Sequence, residues 1–354
     1  MFSPTRCPYR RCSFHSRPLP RFFYRHGFYY PNCRAHPVPR FRCRGCRRTF
    51  SRQTFRADFR DHKPHLNAQL FSRSASGVGI RQCARELPLS NRCTELKLRK
   101  IGRHVRRLNL NLRRELSPDA SFRFDELETY EGQRNTRPLS VPVLVESESR
   151  YIVWAESAPI RPRGKMTKKR LKSIQESESR HGVRKDLSRR SVQRALQRGA
   201  EISATSSTVT LNTDEKSSYP GQAEKAFGRE RLKLIRTNSK LVRATWNPLF
   251  AVNHEEAVAR DLMGRLRRES WLVSKKRRYL DLALQIHMAY RNLVRRRFNK
   301  DRESAAELLG FLPRRLTAQE VLSWRQDWSK ESIHPLSRGD MTVRVFENRR
   351  LSAA

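Results

Sequence analysis

Two pairs of cysteines near the amino terminus constrain this chain more than any other feature. "CPYRRC" places Cys7 and Cys12, and "RFRCRGC" places Cys43 and Cys46, with some 30 residues between the pairs. A C-x4-C knuckle followed by a C-x2-C knuckle matches the ligand spacing of tetrahedral zinc sites. Disulfides or buried small residues are the competing readings. The chain holds 7 cysteines, an odd number that no complete disulfide framework uses up. Four metal thiolates plus three spare thiols (Cys33, Cys83, Cys93) suit a reducing compartment better. His15 and Cys33 are candidate substitute ligands. The aromatic runs "RFFYRHGFYY" and "VPRFRC" read as short strands that bring the knuckles together. A unit this small has a marginal core, so bound metal supplies much of its folding free energy.

Charge narrows the partner. Lys and Arg number 76 against 34 Asp and Glu, a formal net charge of +42 over 354 residues. That balance says nothing about fold but favours a polyanion, nucleic acid first. No unbroken apolar stretch resembles a secretory signal or a membrane span, so no membrane partner is expected. An organellar transit peptide shares the Arg- and Ser-rich start with no acid before Asp58. Against it stand the prolines, the aromatic run and the paired cysteines.

Residues 66–108 change to helical periodicity, with Leu66, Leu70, Ile80, Ala84, Leu87, Leu96, Ile101 and Val105 as its apolar positions. "GIRQCAREL", the turn "LPLS" and "NRCTELKLRKIGRH" have the form of a helix-turn-helix, Ser90 capping the second helix. Arg81, Arg85, Lys97, Arg99 and Lys100 are its candidate DNA contacts, some to phosphates and some to guanine edges. A small helical bundle with a solvated basic face gives the same pattern.

From Phe122 the period becomes two. "SFRFDELETYEG", "RPLSVPVLVES" and "YIVWAESAPI" read as a three-strand meander with Asp125 on its first strand. Residues 161–200 are polar, basic and insertion-like, and their run Lys168, Lys169, Arg170, Lys172 is suited to holding flanking duplex. "STVTLNTDEKSSYPG" returns to a strand with Asp214 at its carboxyl end. A short helix, a fifth strand in "RLKLIRTN" and one long helical stretch after "WNPLF" follow, with Val258, Leu262, Leu266, Leu280, Leu284 and Met288 as apolar positions. "LTAQEVLSWRQDW" reads as a last helix.

Three strands, an insertion, two more strands and a helix is the element order of a ribonuclease-H-like fold. Its acids sit mid-way along the first strand, at the end of the fourth, and on a later helix. Crowded carboxylates repel unless divalent cations neutralise them, and two Mg²⁺ about 3.5–4 Å apart serve phosphodiester transfer in such sites. The plain alternative for Asp125 and Asp214 is a solvated acid at a strand end.

Taken in succession, "CPYRRC…RFRCRGCRRTFSRQTF", the helix-turn-helix, "FDELETYE", "TDEKSSYP" and "NPLFAVNHEEAVARDLMGRLRRESWLVSKKRR" resemble bacterial insertion-sequence DDE transposases of the IS-one-like type. The resemblance spans roughly residues 5–330. It implies a multi-domain α+β chain: zinc ribbon at 1–58, helix-turn-helix at 62–116, ribonuclease-H-like catalytic domain at 120–300 with a basic insertion at 161–200, and helical tail at 301–354. It also implies structural Zn²⁺ on Cys7, Cys12, Cys43 and Cys46, and catalytic Mg²⁺ or Mn²⁺ on Asp125, Asp214 and a glutamate. The implied partners are double-stranded DNA, as terminal repeats and target, and further copies of the chain, in a bacterial cytoplasm at the nucleoid. The sequence departs from the family at the third acid. Ungapped anchoring on "RLRRESWLVSKK" puts the glutamate at Asn253, and Glu255, Glu256 and Asp261 are its neighbours. Glu256, three residues on and near the same helical face, is the reading adopted, although Arg260 at i+4 makes an ordinary surface pair for it. A catalytically inert DNA-binding regulator is the alternative, and an organellar or ribosomal RNA-binding protein a further one.

Overall fold

A computed structural model describes residues 3–32, 36–112, 119–267 and 270–324. Cys33 and the chain beyond Trp324, including the end of the expected last helix, lie outside the described residues.

The amino-terminal unit has its own small core. A one-turn helix α1 (Ser13–Ser16) follows the first knuckle, and strands β1 (Phe23–Tyr29), β2 (Val38–Cys43) and β3 (Thr49–Ser51) form an antiparallel sheet in that order. Phe22, Phe41, Phe50 and Phe55 are buried with Cys7, Cys12 and Cys43. Such aromatic packing supplies area that so short a chain otherwise lacks. Gly45 is required in the second knuckle, because a Cβ there sits 3.0 Å from the Phe14 ring and 3.5 Å from Cys12 Sγ.

Three helices follow: α2 (Asn67–Ala75), α3 (Ile80–Glu86) and α4 (Asn91–Asn111). Ser90 caps α4 by accepting from the Cys93 amide at 3.1 Å. The buried stripe of α4 runs through Thr94, Lys97, Ile101, Val105 and Leu108, the spacing of one helical face. Leu96, expected among the apolar positions, lies one residue off that stripe and is exposed. Gly102 lets α4 press onto a later helix, since a Cβ there falls 2.8 Å from Leu282 Cβ. Leu70, Phe71, Ile101 and Val105 are continuous with the core beneath the main sheet. The helix-turn-helix segment is thus packed into the larger unit.

That unit is built on β4 (Asp119–Tyr130), β5 (Pro138–Glu146), β6 (Ile152–Ala155), a short β7 (Ala158–Pro159) beside β5, β8 (Thr208–Asp214) and β9 (Leu232–Thr237). Their order is β6-β5-β4-β8-β9. The first three strands are antiparallel neighbours; β8 runs parallel to β4, and β9 parallel to β8. This mixed sheet is compatible with a ribonuclease-H-like domain.

Helices α5 (Lys168–His181) and α6 (Ser188–Ile202) connect the meander to β8. The sequence reading took 161–200 as one basic insertion. Instead α6 buries Val192, Ala195, Leu196, Gly199 and Ile202, and Gly199 lies so close that a Cβ meets Leu144 at 2.8 Å. Arginines on the outer face of α6 masked an amphipathic core helix. By contrast, α5 buries nothing.

Helix α7 (Tyr219–Phe227) packs with α6, and Phe227 stacks on Phe122 at 5.9 Å. On the opposite face α8 (Phe250–Leu262) lies against β4 and β5. The expected long helix is two: α8 ends at Leu262 and α9 (Arg277–Ala289) begins after an irregular connection. Gly264 in that connection meets Leu272, to which a Cβ would approach within 2.5 Å. A single π turn at Tyr290–Val294, then α10 (Ala305–Leu308) and α11 (Ala318–Ser323), complete the described fold.

Candidate active site and metal centre

The β4–β8 ladder aligns two acids. Its last registered pair is Arg123 with Asn212. Two residues further along each strand stand Asp125 and Asp214, so the alternation turns both to one face of neighbouring strands. Phe122 and Phe124 point the other way, onto Phe227 and Tyr219. The Asp125 face is the one that α8 covers.

Glu256 is the buried acid of α8 whose field reaches Asp125. It is 6% exposed, and its Oε1 has no hydrogen-bond partner. Burial, and after it the Asp125 charge, pushes its carboxyl up to about 8, with Arg260 and Arg243 opposing. Burial and then the charge of Asp214 raise Asp125 as well, although its Oδ1 accepts from the Glu126 amide at 2.7 Å. Asp214 Oδ1 accepts from the Lys216 amide at 3.1 Å. Buried and half-buried carboxylates on one face of the sheet, with an orphaned oxygen among them, are what a divalent cation relieves. The donor set therefore fits Mg²⁺ or Mn²⁺, both oxygen-seeking ions. The three carboxylates are nevertheless not drawn together tightly. Among the described residues, only the four amino-terminal cysteines form a group with all ligand atoms within 4.8 Å of one another.

The neighbouring acids have other tasks. Glu255, 1% exposed, takes a bidentate pair from Arg291 at 2.6 and 3.0 Å. Burial alone would raise its carboxyl, but His254 and Arg291 outweigh that and hold it below the usual range. Asp261 is exposed, and Asn253 half-buried. Glu256 does not make the expected surface pair: it is buried and forms no ion pair with Arg260 among the described residues. Glu126 lies on the other face, bound to Ser140, Lys216 and Tyr219. Arg243, exposed in the loop before α8, was missed by sequence reasoning, since nothing local marks it as a neighbour of Asp125 and Glu256.

At the other end of the chain, Cys7 Sγ lies 3.7 Å from Cys46 Sγ, and Cys12 Sγ 3.7 Å from Cys43 Sγ. A zinc tetrahedron with bonds of about 2.3 Å has edges of about 3.8 Å. The sulphurs thus have the spacing of a closed four-thiolate site. Burial pushes the Cys7 and Cys43 thiols up, and a cation reverses that by binding the thiolates. His15 is turned away, its Nδ1 2.7 Å from the Cys7 carbonyl oxygen. Cys83 is buried in the main core instead.

The candidate DNA contacts divide. Arg81 and Arg85 are exposed on α3. Lys97 is 3% exposed, and its ammonium donates to Asp61 at 3.2 Å, Asn67 at 2.9 Å and the Lys63 carbonyl at 3.0 Å. All three donors are used inside the fold. Lys100 is bound to the Phe59 carbonyl and Asp61. Arg99 pairs with Glu95 and lies 4.5 Å over the Tyr279 ring. Lys97 is therefore a fold residue, whereas Arg81 and Arg85 stay open to solvent.

No protein-family model and no curated protein matches the chain. Among solved structures, the catalytic domain of the Mos1 mariner transposase is similar at 13% identity, covering 54% of this chain and 86% of that one, with a TM-score of 0.21. A score of that size does not equate the two folds. Among the described residues, no helix is long and apolar enough to cross a membrane.

Proposed function

We propose that this chain is a DNA transposase of the insertion-sequence type, acting by metal-dependent phosphodiester transfer. The observation that carries the reading is that Asp125 and Asp214 stand at matching positions on the sheet face against which α8 packs, and that the buried Glu256 of α8 has an Oε1 without a hydrogen-bond partner. A bound Mg²⁺ or Mn²⁺ pair supplies activation of the attacking hydroxyl and stabilisation of the departing 3′ oxygen. The chain's own part is to hold the oxygens. Asp125 and Asp214 are fixed by the ladder, and Glu256 by α8, whose neighbouring residue Glu255 is clamped on Arg291. The ribbon, with Zn²⁺ on its cysteines, and the α3–α4 pair with Arg81 and Arg85 would bind the terminal repeats. The resemblance also implies that copies of the chain act together on paired DNA ends.

One observation favours the inert DNA-binding reading: the three acids do not gather as closely as the cysteines do. The two readings separate on DNA carrying the repeats that flank the gene. Asp125→Asn, Asp214→Asn and Glu256→Gln should each abolish Mg²⁺-dependent cleavage while binding in Mg²⁺-free, chelator-free buffer is retained. Wild-type protein that binds this DNA and never nicks it would leave the regulator reading standing.

A further inference from the structure

A cleft of about 560 Å³ opens beyond the acids, between the end of β4, the segment before α5, the start of α5 and the last turn of α8. Among the described residues Arg134, Arg161, Arg163, Arg170, Arg260 and Arg267 line it, against a single carboxylate, Glu128. These arginines come from four separate stretches of chain, and of the basic run at 168–172 only Arg170 is among them. Among the described residues little neutralises them. Arg163 meets Asp186 at 3.4 Å with both side chains substantially exposed. Arg170 and Arg267 donate to the carbonyls of Lys165 and Asp261, each at 3.0 Å. The Nε atoms of Arg170 and Arg260 are buried without a hydrogen-bond partner. Crowded guanidiniums with unused donors are costly unless an anion shares the space.

The cleft is also placed relative to the acids. Thr129 on its wall is four residues along β4 from Asp125, about 13 Å at the rise of a strand. Arg260 is one turn beyond Glu256 on α8, about 6 Å along the helix. We infer that this cleft seats the sugar-phosphate backbone of the DNA strand leading away from the scissile phosphate. Guanidiniums suit that ligand because their planar forks match phosphate oxygens two at a time. The choice of DNA as the polyanion rests on the transposase reading; the cleft and its arginines extend that reading to a second contact surface, away from the α3–α4 pair.

The test is a salt titration of binding to a short labelled duplex of arbitrary sequence, using the full chain in Mg²⁺-free buffer without chelator, so that the ribbon keeps its zinc. Arg134 and Arg161 are exposed, so the Arg134→Ala/Arg161→Ala double variant should keep the wild-type melting temperature. Each lost phosphate contact should reduce the slope of log K against log salt by about 0.9, so the pair should reduce it by about 1.8. The control is Lys225→Ala/Arg229→Ala, two exposed cations at the end of α7, on the opposite face of the sheet, which should leave the slope unchanged. An unchanged slope in the cleft variant, or an equal fall in the control, overturns the inference. So does a fall on an RNA duplex of the same sequence with none on DNA. Because binding is read without Mg²⁺, where no cleavage is needed, the two proposals fail separately. A chain that binds through the cleft but never cuts refutes only the catalytic reading, and one that cuts with an unchanged slope refutes only the cleft.

Discussion

Asp125 and Asp214 stand two residues beyond the last registered pair of β4 and β8, at matching positions on adjacent parallel strands. Strands in a sheet lie about 4.8 Å apart, so the backbone brings two carboxylates together and leaves the side chains and Glu256 to complete the group. The repulsion this creates is tolerable only while protons or cations share the site, and this makes the site sensitive to pH.

Glu256 supplies the sign. Its folded-state pKa of about 8 lies above the ordinary glutamate value of 4.5, so between these values the native state holds a proton that the unfolded chain releases. Without metal, stability should therefore fall as pH rises from about 4.5 to 8, and the loss should be complete above that. Glu256→Gln removes the penalty. Thermal unfolding in Mg²⁺-free, chelator-free buffer should show the variant more stable than wild type at pH 9, by about 3–5 kcal/mol, and little different at pH 4. Mg²⁺ should erase most of that advantage by stabilising wild type alone, and equal melting of the two proteins at pH 9 without Mg²⁺ would contradict the buried, charge-coupled carboxyl.

Arg291→Met should leave the Glu255 charge buried and unpaired, at a cost of about 3–5 kcal/mol. Removing both charges with Glu255→Gln/Arg291→Met should cost less than Arg291→Met alone. Urea unfolding of the variants measures this. A double variant at least as unstable as the single one would show that the pair is not what the site depends on.

The ribbon should carry one zinc per chain. Cys43→Ser should lose the ion and the near-ultraviolet signal of the aromatic cluster around Phe50, whereas Cys93→Ser should change neither. Elemental analysis of purified full-length protein decides it. A zinc-free wild type with an intact aromatic signal would turn these cysteines into ordinary core residues.

Lys97 and Arg85 should behave oppositely, although both were candidate DNA contacts. Lys97→Met removes one of the two ammoniums on buried Asp61 and leaves the Asn67 and Lys63 oxygens without their donor, and should lower stability by about 1–3 kcal/mol. Arg85→Ala should leave the melting temperature in place and weaken DNA binding, by about 1–3 kcal/mol if it reads a base. Melting curves and binding isotherms on the same preparations separate the two roles.

By itself the sequence determined whatever depends on neighbours along the chain. Cysteine spacing marked the knuckles, and period-two runs marked the strands around Phe122 and Val209. The turn at Pro88–Ser90 marked the start of α4, and the surplus of arginine marked a polyanionic partner. Periodicity reports which element forms, but it reports poorly how that element is rotated against the rest. Adjacent helical residues differ by about 100°, so only the packing of α8 on β4 and β5 decided that Glu256 faces Asp125 while Glu255 turns to Arg291. The same limit hid the burial of Lys97 and the exposure of Leu96, one residue apart on α4. Charge hid the rest. Arginines on the outer face of α6 made a core helix look like an insertion, and the arginine cleft arose from segments far apart in sequence. Burial and proximity across the chain are properties of three-dimensional packing, and they decided which of this chain's many charges are used inside the fold and which stay open to solvent.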